Sequence, residues 1–125
     1  MKVYGYHSQT ITNETGSSFA IDTDMDGIPY VINYAGYSYY YPSSTWEKKW
    51  TNPQIIDFAI SPTNEFWKLD RNNLKPYKYD GANWILKDDL ACSRISAGPN
   101  YAWSIDLSNN IKKYDGSTWT AVADV

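Results

Sequence analysis

The chain has 125 residues, a net charge of −3 and an aromatic load of 12 Tyr and 6 Trp, long enough for one domain with a packed core. Its largest basic clusters are the pairs Lys48-Lys49 and Lys112-Lys113, too small for the positive face that a nucleic acid requires. No apolar run approaches the roughly 20 residues that cross a bilayer, so neither nucleic acid nor a membrane is expected as a partner.

Tyrosine and tryptophan favour strands, and Asn, Ser, Thr, Asp and Gly between them supply turn chemistry. In chain order, strands are expected over residues 2–6, 10–14, 18–22, 29–34, 37–41, 46–50, 55–60, 65–69, 74–79, 84–87, 92–97, 101–106, 110–114 and 118–123. Trp103-Ser104-Ile105-Asp106 alternates apolar and polar with period two, and Phe58-Ala59-Ile60-Ser61 does so more loosely. Ser61-Pro62-Thr63-Asn64, Arg71-Asn72-Asn73, Gly98-Pro99-Asn100, Ser108-Asn109-Asn110 and two Asp-Gly pairs separate the runs. No segment sustains a helical period, so little or no helix is expected.

The runs repeat. Tyr79-Asp80-Gly81-Ala82-Asn83-Trp84 recurs 35 positions later as Tyr114-Asp115-Gly116-Ser117-Thr118-Trp119, and Tyr41-Pro42-Ser43-Ser44-Thr45-Trp46 is a degenerate earlier copy. A second aromatic stands 16 or 17 positions upstream in each case, at Tyr30, Trp67 and Trp103, and an isoleucine stands further upstream at Ile21, Ile60 and Ile95. Tyr6-His7-Ser8-Gln9-Thr10-Ile11 reads as a partial fourth copy. Four strands in each unit of about 35–38 residues is the spacing of propeller blades. The expected fold is all-β, a β-propeller with three four-stranded blades in a single domain over residues 1–125. A partial strand pair occupies 1–17, and the blades cover approximately 18–51, 56–88 and 92–123. Propellers use about 4–8 blades, so a second copy is expected to complete the ring as a homodimer. Residues 2–11 then read as the last strand of a preceding blade, and 118–123 as the first strand of a following one.

The stretch Trp84, Leu90, Arg94-Ile95-Ser96-Ala97-Gly98, Ala102-Trp103-Ser104-Ile105-Asp106, Asn109-Asn110-Ile111-Lys112-Lys113-Tyr114 and Trp119 resembles a tectonin repeat. The middle repeat resembles it less closely, through Ile60-Ser61-Pro62, Phe66-Trp67 and Asn73-Leu74. The first departs further, with Asp22 in place of Ser and Tyr30 in place of Trp. The resemblance implies a propeller of about six repeats and a lectin or a protein-binding scaffold.

Carbohydrate binding is the leading expectation, with repeated aromatics stacking on sugar C–H faces and short polar groups fixing the hydroxyls. The candidate ligand-binding residues are Trp46, Trp84, Trp119, Tyr79, Tyr114, Asp80 and Asp115, and repetition of weak sites would give avidity. The plainer assignment for Trp46, Trp84, Trp119, Trp67 and Trp103 is filling between blades. The alternative function is a protein-interaction or structural subunit of a larger assembly. Tyr37, Tyr39 and Tyr41 share one face of a strand, and with Trp50 they form the candidate interface. The partner is thus a glycan or another protein.

No catalytic constellation emerges, and no enzyme activity, metal or cofactor is expected. Asp22, Asp24, Asp26 and Gly27 match the start of an EF-hand loop, but its twelfth position is Asn33 and no helix flanks it, so an acidic turn is the better reading. His7 and Cys92 stand alone, which disfavours a transition-metal site. The single cysteine excludes an internal disulfide. The segment Met1–His7 lacks the apolar stretch of a secretory signal, which makes the cytoplasm the expected location.

Overall fold

The computed structural model describes residues 2–7 and 10–122, with backbone alone for those up to 17. Strands β1 (Lys2–His7) and β2 (Thr10–Ser17) form a hairpin. Three four-stranded antiparallel sheets follow, each a simple meander. The first comprises β3 (Ala20–Thr23), β4 (Pro29–Ile32), β5 (Ser38–Tyr40) and β6 (Glu47–Lys49). The second holds β7 (Ile55–Ile60), β8 (Phe66–Asp70), β9 (Pro76–Tyr79) and β10 (Trp84–Leu86). The third holds β11 (Cys92–Ala97), β12 (Ala102–Asp106), β13 (Ile111–Tyr114) and β14 (Trp119–Ala121). No helix occurs among the described residues. These are three blades of a β-propeller, and their leading strands β3, β7 and β11 lie side by side.

One turn recurs four times and explains much of the polar composition. Asp24, Asn33, Ser61 and Asp106 each accept, through the backbone carbonyl, the N–H three residues on, from Gly27, Gly36, Asn64 and Asn109. Those four residues have φ between 61° and 88°, a region that glycine and asparagine enter most readily. The first side chain then caps the loop. Asp24 Oδ1 accepts the N–H groups of Asp26 and Ile28, and Asp106 Oδ1 those of Ser108 and Asn110. Asn33 and Ser61 do likewise. The calcium-loop-like run is therefore a capped hairpin turn.

Residues paired across strands share a face, so the registers say what each blade shows its neighbours. Tyr30 and Ile32 of the first blade meet Phe58 and Ile60 of the second around Ile55. Ala59, Trp67 and Leu69, on the opposite face of the second blade, meet Cys92, Ile95, Ala102 and Tyr114 of the third. Each joint carries a carboxylate tie to the leading strand of the next blade. Asp22 Oδ2 accepts the Ile60 N–H at 2.8 Å, and Asp57 Oδ2 accepts the Ile95 N–H at 2.8 Å.

The sheets correct several expectations. Trp119–Ala121 pairs with β13 as the fourth strand of its own blade and does not open a following one. Lys2–His7 pairs with Thr10–Ser17, and Tyr6 opposes Ile11 as Tyr79 opposes Trp84. The first segment is thus half of a two-stranded hairpin rather than a single strand. The partial copy is present in backbone register, while the His7 side chain lies outside the described residues. Ile60 is not the counterpart of Ile95. Phe58 is, because Phe58 opposes Lys68 where Ile95 opposes Ser104. Trp103 occupies the repeat position of Trp67 but is exposed, because none of the described sheets packs against its face.

Replacing Trp67 by alanine should destabilise the fold by about 3–5 kcal/mol, the cost of truncating a buried large aromatic. Asp57→Ala should cost about 1–3 kcal/mol by leaving an inner-strand N–H unpaired. Asn72→Ala, on an exposed turn, should change little. Urea denaturation of the three variants checks the order.

Candidate functional site

The predicted ligand residues sit at the same place in each blade but do not converge. Tyr41 and Trp46 lie with ring centroids 4.9 Å apart, Tyr79 and Trp84 5.1 Å apart, and Tyr114 and Trp119 5.2 Å apart. Each pair closes the hairpin between the last two strands of its blade, so each blade keeps its own. Neighbouring rings cover two of the three tryptophans. Trp84 meets Trp50 at 5.0 Å, and Trp119 meets Trp67 edge-on at 5.8 Å. The Trp119 indole N–H donates to the Lys87 carbonyl at 3.1 Å, and the Tyr114 hydroxyl donates to the Gly116 carbonyl at 3.0 Å.

Asp80 and Asp115 are engaged with their own turns. Asp80 Oδ1 accepts the N–H groups of Ala82 and Asn83, and Asp115 Oδ1 accepts those of Ser117 and Thr118. Gly81 and Gly116 supply the left-handed backbone that these tight loops need, with φ of 99° and 104°. The Asn83 and Ala82 N–H groups hold the Asp80 carboxyl below its ordinary 3.8. The Thr118 and Ser117 N–H groups do the same for Asp115. Tyr79 and Asp80 also line a groove of about 520 Å³ with Asn64, Phe66, Ile85 and the Lys78–Glu65 ion pair.

Of the predicted interface, Tyr39 and Tyr41 lie on the outward face of the first blade, away from the second, and the Lys48 ammonium sits 4.2 Å from the Tyr37 ring centroid. Trp50 does not join them. It is wedged into the joint between the first two blades, within 6.4 Å of the Tyr30 ring and 5.5 Å of the Phe66 ring. Its φ of 58° aims the indole there, a conformation costly for a bulky side chain and held by the surrounding rings. Lys68 is buried in the same joint, bonded to the Pro53 carbonyl and to Asp70, and burial lowers its pKa.

A second depression, of about 400 Å³, opens where β3, β7 and β11 begin. Phe19, Ile56, Leu74 and Leu107 supply its apolar wall, and the buried Cys92 forms part of its lining. Arg94 stands at its edge, with Nε donating to Asp57 Oδ2 at 3.2 Å. Leu107 is 60% exposed. Sequence reasoning assigned none of these residues to a binding site, although Leu107 is the one apolar side chain in the turn Leu107-Ser108-Asn109-Asn110, and Ile56 breaks the alternation of β7.

Below about pH 4, protonating Asp80 and Asp115 should loosen their turns. Their folded pKa values lie under the unfolded one, so the stabilisation is present above the unfolded pKa and is lost as pH falls through the folded values. Asp80→Asn and Asp115→Asn variants should show a flatter acid limb in thermal melts.

The sequence matches no protein-family model and no curated protein. Among solved structures, the chain is similar to that of "YCF48 bound to D1 peptide", with a TM-score of 0.55 and 15% identity. The match covers 74% of this chain but 35% of that one, so this chain spans about a third of the other's length. At that identity the likeness is one of fold, and the shared fold is the β-propeller.

Proposed function

We propose that this chain is a non-catalytic protein-interaction module, a propeller that takes an apolar segment of a partner protein where its three inner strands begin. The observation that carries the reading is the depression beside β3, β7 and β11, where Leu107 and Ile56 remain in water above a buried floor. An apolar wall with a paired Arg94 and Asp57 at its edge is the composition of a recognition pocket. Arg94 adds a cation that can orient a carbonyl or carboxylate of the bound segment. The D1 peptide bound to YCF48 supports a protein partner for a propeller of this type.

A lectin of the tectonin kind is the second reading, and the groove lined by Tyr79, Asp80, Glu65 and Lys78 favours it. An aromatic ring beside several hydrogen-bonding groups suits a saccharide. Against it, Trp84 and Trp119 are covered by neighbouring rings. Neither reading calls for a cofactor.

Selection from a random peptide display library and a glycan array separate the two. The protein reading expects apolar peptides whose affinity falls at least about tenfold, or 1.4 kcal/mol, in Leu107→Asp and Ile56→Asp, with unchanged melting. Binding inhibited by free saccharide and lost in Tyr79→Ala would instead support the lectin.

A further inference from the structure

The structure points to a partner for its two end blades, independently of the pocket above: we infer that a second copy of this chain docks head-to-tail, the third blade of each copy packing on the first blade of the other. The chain carries both halves of its own repeated joint, one at each end. On the forward side, Trp103 holds the position of Tyr30 and Trp67, which are 4% and 2% exposed, yet Trp103 is 38% exposed. Ile105, the counterpart of the fully buried Ile32 and Leu69, is exposed as well. Together with Ile111 these side chains line a shallow cavity of about 360 Å³. On the backward side, Ile21 holds the position of Phe58, which is 7% exposed, but is itself 50% exposed.

The internal joints specify the fit. Tyr30 meets Phe66 at 5.3 Å and Phe58 at 6.3 Å across the first joint. Trp67 meets Tyr114 at 5.3 Å and Trp119 at 5.8 Å across the second. Tyr41 and Trp46 are the first-blade counterparts of Tyr114 and Trp119. Trp103 of one copy therefore seats against Ile21, Tyr41 and Trp46 of the other, with Tyr39 beside them on the same face. An unlike protein would have to imitate this repeat, whereas a second copy already has it. Two copies joined in this way close a ring of six blades through two identical heterologous joints. The outward tyrosines then fall inside an interface.

Light scattering on the purified chain, with Trp103→Asp and Ile21→Asp variants, tests the assignment. The unmodified chain should run at twice 14.3 kDa, and each variant alone should run as a monomer with unchanged far-ultraviolet circular dichroism. Mixing the variants should restore a dimer, because one joint then keeps Trp103 on one copy and Ile21 on the other. A folded monomer of the unmodified chain at micromolar concentration overturns the inference. So does a dimer that survives Ile21→Asp, since that requires face-to-itself pairing through Trp103. Peptide binding through Leu107 is unaffected by either result, so this inference and the proposed function fail separately.

Discussion

A four-stranded sheet has two faces, and a small blade cannot bury either one alone. Everything else in this chain follows from that constraint. Each blade leans on the next through a bulky aromatic at a fixed position, Tyr30 in the first joint and Trp67 in the second. The inner strands impose a related demand, because a sheet edge leaves N–H groups without partners. Asp22 and Asp57, each projecting from the preceding blade, accept one such N–H from Ile60 and Ile95. Apart from the buried Lys68 of the first, the joints are thus aromatic and aliphatic, with a carboxylate at the inner edge whose charge-assisted hydrogen bond fixes the register between sheets.

The local parts of this architecture were legible in the residues. Alternating runs, capped turns and the recurring Tyr and Trp pairs all depend on neighbours within a few positions. Asp24 illustrates the limit of motif reading, since its carboxylate serves the same loop that Asn33, Ser61 and Asp106 serve elsewhere. What could not be read was long-range. Trp67 and Trp103 are the same residue at the same repeat position, and among the described residues only Trp67 has a sheet packed against it. Phe58 and Ile60 are both apolar and point the same way, so a landmark chosen by residue type slipped by two. Trp50 lies outside the repeat, and its place in the first joint depends on a left-handed backbone that sequence patterns do not favour for tryptophan.

The candidate site was less legible than the fold for a related reason. The aromatics that repeat most clearly are those that hold blades together, so repetition marks packing first. Leu107, which lines the 400 Å³ depression, is replaced at the equivalent turn position of the other blades by Tyr34 and Arg71. Divergence within a repeat is where a shared scaffold leaves room for a specific surface.

Cys92 gives the molecule an internal clock. Its thiol is fully buried between the second and third blades, and burial raises its pKa. In the closed arrangement a thiol reagent cannot reach it, and the reactive thiolate is scarce. Since it is the sole cysteine of the chain, its alkylation rate reads how often the packing around it opens. That opening can be timed with the natural sequence, with no label introduced.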